Sequence, residues 1–230
     1  MDKALKKRIY SPYSDTIEYC IVQGKSGIHY PGVRLENISF PLTISAVQGA
    51  ICSCLGNGDQ PEIIFQPGAS SELLFYWMDT FKLSHQTELP AEVNLYDPLV
   101  TKDTDPEITL DNLTLKSVTG NSNFPVSALL DVGDGYITGV NVEVSTWALG
   151  LCAERVAIFR AISAGYRDFE GILVFAPKGD FSSPCGACRQ VMAEWMPRQQ
   201  VELHHGDSTL SKHNISQLLP YGFTSGNLKK

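Results

Sequence analysis

Short runs of apolar residues, some alternating with polar ones, occur along this chain in an order that is then repeated. Residues 20–24 (CIVQG) with 28–36 (IHYPGVRLE), and residues 126–132 (VSALLDV) with 136–144 (YITGVNVEV), each predict two paired strands joined by a glycine-containing turn. A helix is predicted over 152–164, where Val156, Phe159 and Ile162 fall on one face and Gly165 ends it. A buried strand (GILVFA, 171–176) follows, then a helix from about Cys185 to Trp195 that Pro197 stops, then a strand at VELHH (201–205). Strands and helices mixed in this order predict an α/β sandwich around a central sheet.

The two halves of the pattern align residue by residue. GVRLENISFPLTISAVQGAI (32–51) and GVNVEVSTWALGLCAERVAI (139–158) match without a gap. The identical pairs are Gly32/Gly139, Val33/Val140, Glu36/Glu143, Leu42/Leu149, Ala46/Ala153, Ala50/Ala157 and Ile51/Ile158. With small gaps the register extends outward to Ser14/Ser122 and Gly27/Gly135, and downstream PEIIFQPG resembles GILVFAPKG. Two units of about a hundred residues are ordinary small domains, and the polar stretch TKDTDPE (101–107) is the natural seam. The expectation is a domain at 1–104 and a second at 105–230.

Composition narrows the function classes. The chain has 230 residues, 43% hydrophobic and 19% charged, as in globular proteins. Its formal charge is -7, and both halves carry more acidic than basic side chains. Electrostatic capture of a phosphate backbone needs the opposite balance, so a polymeric nucleic acid is not the expected partner. The opening MDKALKKRIY runs into SPYSD with no apolar stretch, and no run approaches a membrane span. The expected location is the cytoplasm, with no membrane partner. There the six cysteines (20, 52, 54, 152, 185 and 188) would be core thiols, metal ligands or nucleophiles rather than disulfides.

Spacing separates these roles. Cys152 opens one predicted helix, and Cys185 and Cys188 (PCGAC) open the next. A C-x-x-C alone equally describes a redox pair, half of a structural zinc site or buried thiols. Joined to a third cysteine at another helix start, it favours a metal with three protein ligands and one position left for water, the catalytic zinc pattern. Helix N-termini favour the thiolate forms that such a site needs. Glu154, two residues beyond Cys152, would serve alone as a helix-dipole partner. It is not half of a capping box, because Leu151 stands where Ser or Thr would. Beside a zinc-bound water it suits general acid/base work. Zinc with three thiolates is net negative, and a guanidinium from Arg155, with the two helix N-termini, would draw the water's pKa back toward about 7.

C-A-E followed by P-C-x-x-C is the signature of zinc-dependent nucleobase deaminases. SNFPVSALLDVGDGYITGVNVEVS, CAERVAIFRAISAG, SSPCGACRQVMAEW and LLPYGF together resemble the cytidine deaminase family of three-cysteine type over about residues 118–224. The resemblance implies one Zn2+ on Cys152, Cys185 and Cys188, and Glu154 as proton shuttle. It implies that Asn141 and Glu143 hydrogen-bond the ribose hydroxyls, that Phe124 packs beside the nucleoside, and that Ala153 contacts substrate. Arg189 and Gln190 would be structural supports. The implied reaction is hydrolysis of cytidine or deoxycytidine to uridine or deoxyuridine and ammonia, in pyrimidine salvage. The alternatives are another cytosine nucleoside, such as an antibiotic of blasticidin type, or zinc that only holds the fold. Ser127 stands where the family has Gly and Val144 where it often has Asn, which bears on substrate detail.

The same register shows a first unit without this chemistry. Ser45, Val47 and Gln48 stand where Cys152, Glu154 and Arg155 do, GASSELLFYWM contains no cysteine, and Arg34 replaces Asn141. Single-domain relatives assemble as tetramers, so the resemblance implies a homodimer that imitates one with four units. The implied fold is two tandem α/β/α sandwiches, each with a mixed five-stranded sheet, the first degenerate.

Overall fold

The structure, a computed structural model, describes residues 1–68 and 71–224. The first half runs α1 (Asp2–Arg8), β1 (Tyr19–Gly24), β2 (His29–Val33), α2 (Ala46–Leu55), β3 (Pro61–Phe65), α3 (Glu72–Phe81) and β4 (Ser84–Gln86). The second runs β5 (Leu99–Val100), α4 (Pro106–Thr114), β6 (Ser127–Asp131), β7 (Tyr136–Val140), α5 (Ala153–Ala164), β8 (Gly171–Phe175), α6 (Gly186–Trp195), β9 (Gln200–His204), β10 (Leu210–Asn214) and α7 (Ile215–Leu218). The predicted strands and helices of the second half therefore form within a residue or two of where the pattern puts them, except that the strand predicted over 136–144 ends at Val140.

One sheet has the order β2-β1-β3-β4 and the other β10-β9-β8-β6-β7-β5. β1 is antiparallel to β2 and β3, and β3 is parallel to β4. β6 is antiparallel to β7 and β8, and β8 is parallel to β9. Thus β2-β1-β3-β4 and β7-β6-β8-β9 share order and direction. The sheets hold four and six strands rather than the five expected of each. Two additions make the difference. β10 folds back on β9 as a hairpin, and β5, from the connecting segment, pairs with the outer edge of β7. In the first half the chain beyond β4 contains Pro90 and Pro98 and, up to Asp97, makes a single bridge, Leu95 with His29; proline cannot donate to a ladder.

In both halves a glycine strand residue lies against the first turn of the following helix. A Cβ on Gly32 would stand 2.2 Å from the Ala46 carbonyl oxygen, and one on Gly139 2.2 Å from that of Ala153. This close approach sets α2 and α5 on their sheets at the same height.

α5 departs from the amphipathic helix that Val156, Phe159 and Ile162 suggest. Every residue from Ala153 to Ser163 is buried, because α2 covers the face that would otherwise meet water. A Cβ on Gly49 of α2 would come within 2.0 Å of the Phe159 ring. The contact is reciprocal: Gln48 Nε2 donates to the Leu149 carbonyl at 3.1 Å, and Arg155 Nη2 donates to the Leu42 carbonyl at 3.0 Å. Gln48/Arg155 and Leu42/Leu149 are matched positions of the repeat, so the two helices meet about an approximate two-fold axis. Arg160, also buried, donates to Ser53 Oγ and carbonyl in one half and to Thr138 Oγ1 and carbonyl in the other. The buried apolar side chains of both halves form one continuous cluster.

Candidate active site

Two helix N-termini converge beside β6 and β8. Cys152 is the N-cap of α5 and Cys185 that of α6, both with extended backbone and neither with its side chain used in capping. Cys188 lies in the first turn of α6 and is fully buried. The three sulfurs lie within 4.8 Å of one another, with Cys152–Cys185 at 3.6 Å and Cys185–Cys188 at 3.5 Å. A tetrahedral ion with Zn–S bonds of about 2.3 Å separates its sulfurs by about 3.8 Å, so this donor set fits Zn2+. Hydrogen bonds from Cys152 and Cys188, and then backbone N–H groups at the start of α6, hold the Cys185 thiol well below its ordinary range. The second half thus carries a Zn2+ site with three protein ligands.

Beside the sulfurs opens a cavity of about 370 Å³, within the usual range for small-molecule sites. Cys152, Cys185 and Glu154 are in its wall together with Phe124, Asn141 and Glu143. Six of the residues singled out by sequence therefore share one cavity. Glu154 is buried in the first turn of α5, and burial pushes its carboxyl up to about 7. Glu143 accepts from Asn121 N–H (2.8 Å), Ser122 N–H (3.0 Å) and the Ser122 hydroxyl. Partial burial opposes ionisation there, but those three bonds hold the carboxyl below its usual range. Asn141 accepts from Val126 N–H at 2.8 Å and donates to the Phe124 carbonyl at 2.9 Å. Asn141 and Glu143 thereby shape the loop that carries Phe124.

Cys188 sits behind the cavity wall. Ala153 and Arg155 are also off it. Ala153 is fully buried under Gly139, and Arg155 reaches across to Leu42, with its Nε buried and unpartnered. Arg189 supports the second cysteine loop, donating to the Pro184 carbonyl and to Ser183 Oγ, and Gln190 Nε2 donates to the Phe223 carbonyl. Ser127, buried, donates to the Leu110 carbonyl at 2.7 Å and so ties β6 to α4. Trp147, Phe181, Ser182 and Ser183 also line the cavity. Sequence reasoning missed these four: Trp147 opens a single 3-10 turn (Trp147–Leu149) and the other three lie in the loop between β8 and α6, where no periodicity marks them.

In the first half the matching place is filled. Glu36 accepts from Tyr13 N–H, Ser14 N–H and the Ser14 hydroxyl, as Glu143 does from its own loop. Arg34 bridges Glu36 and Glu18 at 2.8 and 3.2 Å, and Glu18 accepts from Ala46 N–H at the start of α2. Ser45 caps α2 through Gln48 N–H. Cys20, Cys52 and Cys54 are free and buried, and burial raises all three thiols, that of Cys52 to about 12. They are core thiols.

The family model for the cytidine and deoxycytidylate deaminase zinc-binding region matches residues 109–202. The cytidine deaminase of Halalkalibacterium halodurans is 42% identical over 109 residues, which are 46% of this chain and 83% of that protein. That of Sporosarcina psychrophila is 41% identical over 112 residues, 46% of this chain and 80% of its own. The crystal structure of cytidine deaminase from Burkholderia pseudomallei matches at 35% identity with a TM-score of 0.49, over 52% of this chain and all of that one. The family-model match contains all three sulfur ligands, and with 83% of the Halalkalibacterium halodurans protein matched at 42% identity, the chain belongs to the cytidine deaminase family.

Proposed function

We propose that this chain hydrolyses cytidine and deoxycytidine to uridine and deoxyuridine, releasing ammonia, as a step of pyrimidine salvage. One observation carries the reading. Two sulfurs of a three-cysteine cluster that can hold a metal, a buried carboxyl and a pair of polar groups suited to sugar hydroxyls all border a single cavity. Bound zinc supplies a Lewis acid that makes water nucleophilic near neutral pH.

The chain's own residues do the rest. Glu154 takes a proton from the attacking water, delivers it to the ring nitrogen of the pyrimidine, and passes a proton on to the departing amine. Asn141 retains one N–H and one lone pair after its two loop bonds, and Glu143 retains lone pairs beyond its three. Both can therefore meet ribose hydroxyls without releasing the loop. Phe124 offers an aromatic wall, Ala153, buried off the cavity, packs under Gly139 rather than against substrate, and Arg155 offsets the charge of three thiolates. No Lys or Arg is among the described residues bordering the cavity, which suits an uncharged nucleoside.

Zinc content measured alongside cytidine turnover tests this directly. One zinc per chain with loss of cytidine absorbance is expected. One zinc without turnover on cytidine or deoxycytidine would redirect the reading to another cytosine nucleoside, or to zinc that only holds the fold. The cavity beside the three ligands favours catalysis over a closed structural site.

We infer also that 1–104 and 105–230 are tandem copies, the first non-catalytic. The seven gapless identities, the shared strand order and the reciprocal Gln48 and Arg155 contacts support this. Two such chains would form a homodimer of four units, expected from light scattering at micromolar concentration; a monomer there would reject it. No helix among the described residues is long and apolar enough to cross a membrane. A cytoplasmic location suits six free cysteines.

A further inference from the structure

Phe181 stands on the wall of the candidate cavity, 55% exposed, in the loop between β8 and α6. One face of its ring stacks on His205, with centroids 4.6 Å apart and planes at 23°, and His213 meets it edge-on at 6.1 Å. The loop is pinned at the next residue. Ser182 N–H donates to His205 Nδ1 at 3.0 Å, and Ser182 Oγ donates to the His204 carbonyl at 2.6 Å. Gly206 N–H donates to the Gly179 carbonyl at 3.1 Å on the same loop.

These contacts set the tautomer of His205. Because His205 Nδ1 accepts, a neutral His205 carries its proton on Nε2 and donates to Ser211 Oγ, 2.9 Å away. Ser211 Oγ in turn lies 3.0 Å from His213 Nε2. A chain of three side chains thus fixes one face of Phe181 and leaves the other toward the cavity. An aromatic ring held in one rotamer offers contact area to a planar ligand at little ordering cost.

We propose that Phe181 is a second aromatic wall for the bound nucleoside, and that His205 is the positioning residue that sets it. The assignment rests on the cavity being the nucleoside site of the proposed function. The bland reading of the His205–Ser211–His213 chain is a satisfied hairpin that stiffens β9 and β10. The two readings differ in what they do to substrate binding.

Steady-state kinetics with cytidine on F181A, H205A, H205N and the double variant F181A/H205A separates them, with zinc content as a check on the fold. F181A is expected to raise KM about tenfold, with a much smaller change in kcat. H205A is expected to raise KM alone, and to add nothing further in the F181A background. H205N, which returns an acceptor near Nδ1, should recover part of the loss. KM within twofold of native in F181A overturns the role of Phe181. An equal KM rise on adding H205A to F181A overturns positioning through it. A native chain that holds zinc but turns over neither cytidine nor deoxycytidine overturns the proposed function and this inference with it.

Discussion

Ser45 and Cys152 occupy the same backbone position. Their φ and ψ are -70° and 157° against -68° and 159°, each at the N-cap of its helix. The peptide is the same and only the side chain decides what happens there. Ser45 accepts Gln48 N–H and closes the helix end, whereas the Cys152 sulfur leaves the backbone alone and turns to Cys185. Two positions on, Val47 is a core residue and Glu154 is a buried carboxyl at a cavity wall. A carboxyl in that place is affordable to the fold only in use, so E154Q, which keeps shape and polarity, should retain one zinc per chain while turnover falls about 10²- to 10⁴-fold. Metal analysis and cytidine kinetics on the same sample check this, and near-native turnover would remove Glu154 from the chemistry. The metal ligands were legible because residue type, helix start and C-x-x-C spacing are all written in the chain. Phe181 and Trp147 were not, since a loop residue's place depends on partners such as His205 that lie far along the sequence.

Elements were legible wherever a short apolar run is bounded by turn residues. β6 and β7 are such a case, with Leu130 opposite Ile137 on the ladder and glycine at the turn. α5 was legible in extent but not in environment. Its apolar stripe predicts one covered face; in the fold the arginines at 155 and 160 are buried too, against the first half. Gly49 shows how tight that packing is. Alanine is the better helix former by about 1 kcal/mol, which by itself would stabilise α2. A Cβ there would stand 2.0 Å from Phe159 Cε2, and that ring is fully buried with no free direction to turn. Overpacking of this kind costs about 1–3 kcal/mol, so the clash outweighs the propensity and G49A should lower the urea midpoint. In an F159L background the same substitution should cost much less, which a double-mutant cycle would show as coupling. Equal losses in both backgrounds would mean that Gly49 serves some other purpose.

For the whole molecule, the sequence repeat invites a picture of two beads on a seam, each able to fold alone. The packing is otherwise. The Phe159 face of α5 is closed by α2, and the buried apolar residues of both halves run together. Arg160 donates half of its hydrogen bonds to Ser53 and half to Thr138. Removing the first half would strip two acceptors from that guanidinium and turn the apolar face of α5 that α2 covers out to water, at about 1.5–3 kcal/mol for each large apolar side chain fully exposed. Over a whole face that is a large part of the stability of an ordinary domain. β5 crosses the seam as well, since Leu99 and Val100 pair with β7. The two halves should therefore unfold together. In urea, loss of fluorescence from Trp77, buried in the first half, and zinc release from the second half, read with a chromogenic chelator, are expected to share one midpoint. Trp147 and Trp195, replaced by phenylalanine, would leave Trp77 as the sole indole reporter. Two separated midpoints, with zinc retained after Trp77 is exposed, would show that the catalytic half stands without its neighbour. A shared midpoint would give the half without zinc ligands a physical role: it supplies the second wall that α5, and through its N-terminus the metal site, is built against.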